Sequence, residues 1–229
     1  MEIDKKLFFI SGFLTIILFI SIYSLNFLIG EQREEKVNED MDNILREYEE
    51  IQAIMLMSNI FGKESSCTAM EQMMLEMDEN LWDLGIKIEK YRKLTEEYMK
   101  DSFYITQKET FNRKQIIYYS LLKEVEEWCG QDRTTILYFY KKKEECEDCD
   151  AMSFVLTNIK KDVENELAIF SFDANLELNS LNVLIDHYNI SSYPCIVVED
   201  TTYCGFKDRS ETVKNICNEN ENFSLCQTQ

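Results

Sequence analysis

Proline and histidine are nearly absent from this chain. Its 229 residues include one of each, Pro194 and His187, and only six glycines. So few Pro and Gly exclude long flexible linkers. A lone histidine excludes a metal site built from several histidines of one chain. Basic residues are also scarce, 24 against 43 acidic ones, for a formal charge of −19. That balance offers no basic face for a polyanion, so nucleic acid is not an expected partner. The acidity serves solubility. With 45% hydrophobic and 29% charged residues, most of the chain should fold, into one or two domains.

What is present begins with a 23-residue run free of charge, Leu7 to Ile29. At ~1.5 Å rise per residue such a helix spans a bilayer core of roughly 30 Å. It is long for a signal-peptide core, and no A-x-A-like cleavage site follows it. The reading is a short tail (1–6) and an N-terminal transmembrane helix (7–29) contacting the lipid bilayer. Lys5 and Lys6 before the run are balanced by Arg33 and Lys36 after it, so positive charge alone does not orient it. All eight cysteines follow the run. A cysteine-paired body suits an oxidising compartment. The expectation is therefore a single-pass protein of the cell membrane with its C-terminal domains on the extracytoplasmic side.

Residues 31–129 carry helical apolar stripes without proline. Val37, Met41, Ile44, Tyr48, Ile51 and Met55 step by threes and fours, as do Met70, Met74, Met77, Leu81, Leu84, Ile88 and Tyr91. Phe111, Lys114, Tyr118, Leu121, Val125 and Trp128 form a third set. The spacing predicts a three-helix, up-down-up bundle or coiled-coil region. Its breaks are expected at Gly62–Ser66 and around Asp101–Lys108. The methionines suit core filling at this spacing, and the stripes would also serve a homodimer. Cys67 in the first connection and Cys129 at the end of the third helix fall at the same end of such a bundle, so a disulfide between them is reasonable.

From Thr134 the pattern changes. Ile136–Tyr140 reads as a strand, and Met152, Val155, Leu156, Ile159 and Val163 as a helix. Leu167–Phe172 reads as a strand, and Leu178, Leu181, Leu184, Ile185 and Tyr188 as a helix. Cys195–Val198 and Tyr203–Phe206 follow as an antiparallel pair, and Glu211–Cys217 closes the run. The order is βαβαββα over 134–217, an α/β domain with an acidic tail at 218–229. Cys146-Glu147-Asp148-Cys149 follows the first strand, and Ser192-Tyr193-Pro194 precedes the third. A strand, a CxxC, a helix and a later solitary proline together suggest a thiol–disulfide site.

These segments resemble the thioredoxin fold, over about a third of the chain. The resemblance rests on the central strand Ile136–Tyr140, the pair Cys146 and Cys149, the loop Tyr188–Pro194 and Gly205. It implies a redox pair at Cys146 and Cys149, with Pro194 in the cis form and Tyr193 presenting backbone to an extended substrate. A thiolate at Cys146 would be stabilised at a helix N-terminus. It would attack a substrate disulfide, and Cys149 would resolve the mixed disulfide. Glu144, Glu145, Glu147 and Asp148 crowd the pair and oppose the thiolate, with Lys141, Lys142 and Lys143 in partial compensation.

The other cysteines leave alternatives open. Cys195 lies beside Pro194, near the CxxC, and also within reach of Cys204. Cys217 and Cys226 would tie the tail to the last helix. A zinc site from Cys146, Cys149, Cys195 and Cys204 lacks the usual second close pair, so neither metal nor cofactor is expected. Asn189-Ile190-Ser191 and Asn222-Phe223-Ser224 match the N-glycosylation pattern, a weak sign of export. The functional expectation is a membrane-anchored thiol–disulfide oxidoreductase acting on protein thiols or disulfides, or on a membrane redox partner. Its rival is a non-catalytic tethered interaction protein whose cysteines are structural.

Overall fold

A single helix runs through the first quarter of the chain. In the computed structural model, which describes residues 5–94, 102–130 and 133–228, α1 (Lys5–Phe61) contains both the apolar run and the start of the first stripe. It stops at Gly62, whose φ of +98° suits a residue without Cβ. The Gly62 N–H donates to the Ser58 carbonyl at 2.9 Å, satisfying one of the last turn's free acceptors. α2 (Lys63–Leu94) follows at once, and then α3 (Ser102–Cys129). The first break is thus one residue rather than five. α3 begins at Ser102, so 102–108 is helix where a connection was expected. Buried Tyr104 and Gln107 and the Lys108–Asp173 ion pair hold it there.

The chain divides into two units, Met1–Asp42 and Asn43–Gln229. In the first, every large apolar side chain described between Phe9 and Leu25 is exposed. In the second, α2 buries Met70, Met74, Met77, Leu81, Leu84 and Ile88, the stripe read from the sequence. It packs on α3, which buries Phe111, Tyr118, Leu121 and Val125. The Phe111 ring packs on the α2 backbone at Gly85, where an added Cβ would lie 3.1 Å from it. Of the α1 stripe, Ile51 is fully buried, while Tyr48 and Met55 are half-buried. The side chains of Val37, Met41, Ile44 and Tyr91 lie outside the described residues.

The sheet has four strands, β1 (Thr134–Tyr140), β2 (Leu167–Asp173), β3 (Cys195–Val198) and β4 (Thr201–Cys204), in the order β2-β1-β3-β4. β1 is parallel to β2 and antiparallel to β3, and β3 is antiparallel to β4. Between them run α4 (Cys149–Val163) and α5 (Asn179–His187), and α6 (Arg209–Glu219) follows. Side chains alternate across the sheet. Ile136, Tyr138, Ile169, Ile196 and Val198 form one core with Met152, Leu156 and Ile159 of α4 and Val213 and Ile216 of α6. On the other parity lie Leu137, Phe139, Phe170 and Phe172, all buried, and Phe170 sits 5.3 Å from the Tyr118 ring and 5.4 Å from that of Tyr119. A capping box starts α6: the Glu211 N–H donates to the Asp208 side chain, and the Asp208 N–H to that of Glu211.

This architecture corrects the expected fold class, an N-terminal transmembrane helix followed by a helical bundle and a thioredoxin fold. Among the described residues no helix is long and apolar enough to cross a membrane. The apolar side chains described from Phe9 to Leu25 lie on the same 57-residue helix as the charged segment that follows them. They share one helix with the first stripe rather than forming a helix of their own. The α/β part is a small mixed sheet rather than a free-standing domain, because α3 packs directly on β2 and α5. Asn112 Oδ1 accepts from the Asp173 N–H at 3.1 Å and Gln115 Oε1 from the Ser171 N–H at 3.2 Å. These two side chains of α3 occupy the outer edge of β2, which would otherwise offer unpaired donors. The tail is not free either: Phe223 is buried and Cys226 is bonded to Cys217.

Candidate functional site: the Cys146–Cys149 loop

β1 delivers the chain to a turn at its carboxyl end. Lys142 O there accepts both the Glu145 and the Cys146 N–H, each at 2.9 Å. Cys146 and Cys149 are joined by a disulfide, with their Cα atoms 5.5 Å apart. Both residues are buried. α4 starts at Cys149, not Cys146, and its N-cap Asp148 makes no side-chain capping bond. Cys146 therefore precedes the helix by three residues, where the helix field is already weak. The Tyr138 hydroxyl donates to the Cys149 carbonyl at 2.6 Å, fixing the second cysteine against the sheet. Burial raises the Tyr138 phenol, keeping it a donor.

Tyr193 and Pro194 come to the same end of the sheet. Cys195 pairs in register with Phe139, which places Pro194 alongside the end of β1. The Tyr193–Pro194 bond is cis. The Lys141 ammonium stands 5.2 Å from the centre of the Tyr193 ring and bonds Glu145 at 2.8 Å. That bond, then the one from Asn175, holds the Glu145 carboxyl below its usual range. Glu144, Glu147, Asp148 and Asp150 are exposed around the pair.

Behind the loop lies a buried cluster. Asp173, opposite Tyr140 in the β1–β2 register, is bonded by Lys108 from α3. The Lys108 ammonium also stands 5.2 Å from the Tyr140 ring centre and 5.6 Å from that of Tyr104. Burial pulls this ammonium down, but Tyr140, Asp173 and Tyr104 outweigh it and hold the group above the ordinary lysine range. Burial pushes the Tyr140 phenol up to about 12, against the opposing pull of Lys108.

The remaining cysteines lie elsewhere. Cys67–Cys129 joins the first turn of α2 to the last residue of α3, with Cα atoms 5.6 Å apart. Cys195–Cys204 links directly opposed residues of β3 and β4, and Cys217–Cys226 fastens the tail to α6. None of the eight is free. Among the described residues no group of His, Cys, Asp and Glu is placed to hold a metal. Asn189 and Asn222 are exposed.

The sequence reading did not find Asn175, Lys108 or Asp173 at this site. Asp173-Ala174-Asn175 marks a turn by composition, but its partners lie some 30 to 65 residues away, beyond any local periodicity.

No protein-family model and no curated protein matches the chain. A solved structure titled "Structure of a malarial protein" matches 38% of this chain and 97% of its own length, at 16% identity and a TM-score of 0.33.

Proposed function

We propose that the protein is a thiol–disulfide oxidoreductase of an oxidising, extracytoplasmic compartment, acting on cysteines of other proteins through Cys146 and Cys149. The observation that carries this reading is the Cys146–Cys149 disulfide in the turn after β1, at the end of the sheet where the Tyr193–Pro194 loop enters β3. In the oxidised form a substrate thiolate attacks the Cys146 sulfur, and the Cys149 thiolate leaves. A second substrate thiolate then attacks the substrate sulfur of this mixed disulfide and expels Cys146. The substrate gains a disulfide, and two electrons remain on the pair. The reverse sequence reduces a substrate disulfide. Four intramolecular disulfides suit such a compartment. For the bare apolar surface of Phe9–Leu25 we propose lipid hydrocarbon as the partner, checked by partition of the full chain into liposomes.

The test is a glutathione redox titration with peptide mapping by mass spectrometry. The Cys146–Cys149 couple should cycle while the other three bridges resist. C149S, whose Cys146 thiolate attacks a protein disulfide with no Cys149 to resolve the product, should accumulate mixed disulfides, and C146S should not. A pair as inert as the other three, with no trapped adduct on C149S, would sink the proposal. That outcome would favour the interaction reading, which draws support from Leu56, Met57 and Ile60 of α1, exposed by 72%, 49% and 76%.

A further inference from the structure

Asn175 lies in the loop after β2, yet both ends of its amide reach the loop that carries Cys146. Its Oδ1 accepts from the Lys142 N–H at 2.8 Å, and its Nδ2 donates to Glu145 Oε1 at 2.6 Å. Its own N–H donates to Asp173 Oδ1 at 2.9 Å, and Lys108 of α3 bonds the other oxygen of that carboxylate. Lys142 is in turn the residue whose carbonyl accepts the Cys146 N–H. One side chain thus links the buried Lys108–Asp173 pair to the backbone of the first cysteine. The same contacts take up the charge of Glu145, shared between Lys141 and Asn175. A carboxylate released from that arrangement would stand one residue from the sulfur.

Resting on the oxidoreductase reading, we propose that Asn175 is a positioning residue of the thiol site: it fixes the turn that presents Cys146 and directs the Glu145 carboxylate away from the Cys146 sulfur. The charged and titratable groups around that sulfur are Lys141, Lys142, Lys143, Glu144, Glu145, Glu147 and Asp148 of its own loop and Asp150 of α4. Tyr138 and Tyr140 of β1, Asp173 of β2, Lys108 of α3 and Tyr193 before β3 stand at the same end of the sheet. Within this set Asn175 is the neutral group that bonds a carboxylate next to Cys146, so replacing it with a carboxylate turns an attraction into a repulsion.

The experiment measures alkylation of Cys146 by iodoacetamide against pH in the reduced full chain, resolved by peptide mass spectrometry, together with the glutathione equilibrium of the pair. N175D keeps the acceptor for Lys142 but opposes Glu145. It should move the Cys146 titration upward by about one unit and slow alkylation at neutral pH about tenfold. The swap N175D/E145Q restores a donor–acceptor pair and should return the profile to within about twofold of wild type. N175A removes both bonds, frees the Glu145 carboxylate and should move the titration upward in the same direction, which provides a second arm should N175D not fold. A folded N175D or N175A with an unchanged profile overturns the proposal. A wild-type pair that fails to cycle with glutathione instead overturns the oxidoreductase reading, and the alkylation profiles report on Asn175 either way.

Discussion

Asp78 shows how much one side chain can hold. Its carboxylate on α2 is buried and accepts from Arg133 and from Lys160, both at 2.7 Å. Lys160 also donates to the Glu164 and Leu167 carbonyls. Desolvation dominates at Lys160 and lowers its pKa, with Asp78 opposing. The substitution D78N would leave two buried cations without a counter-charge, a loss of about 3–5 kcal/mol, to be read as a lower urea midpoint at unchanged slope. Gly85 is the second sensitive position. An alanine there meets the Phe111 ring at 3.1 Å, and G85L overpacks the α2–α3 contact, with an expected cost of about 1–3 kcal/mol. The apolar spacing of α2 named the buried methionines and leucines correctly. It said nothing of Asp78, because nothing local distinguishes a buried carboxylate from the exposed Glu79 beside it.

At the scale of elements, the disulfide between Cys67 and Cys129 closes a loop of 62 residues. Loop entropy rates such a closure at about 4 kcal/mol. The double substitution C67S/C129S should lower stability by up to that amount, measured by denaturant unfolding, while leaving the Cys146–Cys149 couple intact by mapping. This pairing was legible because up-down-up topology brings the two positions to one end. The boundary of α3 was not. Residues 102–108 carry weak local signals; there Tyr104 and Gln107 are buried and Lys108 bonds Asp173 of the α/β part. The edge of β2 follows the same logic. Asn112 and Gln115 look like ordinary polar residues of a helix, and only their place against Ser171 and Asp173 makes them covers of a strand edge.

For the whole molecule, two bulk properties lead to measurements. Burial raises the phenols of Tyr118, Tyr119 and Tyr138, and that of Tyr140 to about 12. An unfolded tyrosine titrates near 10, so above about pH 10 the folded state binds more protons than the unfolded one. Stability should be fully present below that pH and fall as pH rises toward 12. Lys160, with its lowered pKa, works in the opposite sense just below the ordinary lysine range. The check is denaturant midpoints between pH 9 and 12, with tyrosinate absorbance rising together with unfolding. The second property is charge. Net −19, with exposed Glu144, Glu147, Asp148 and Asp150 around the pair, favours cationic substrates. If the proposed activity holds, a disulfide peptide flanked by lysines should turn over faster than one flanked by glutamates. That gap should close as salt shortens the screening length from about 30 to 3 Å.

The sequence by itself determined the helical stripes, the strand runs, the acidic surface and the spacing that lets Cys146 meet Cys149, since each depends on neighbours within a few residues. Tertiary structure alone decided that α3 closes the β2 edge, and that Asn175 and the Lys108–Asp173 pair stand behind the cysteine loop. Those outcomes depend on hydrogen bonds and buried charges between segments 30 to 80 residues apart, and a polar residue's long-range partner leaves no periodic trace in the chain.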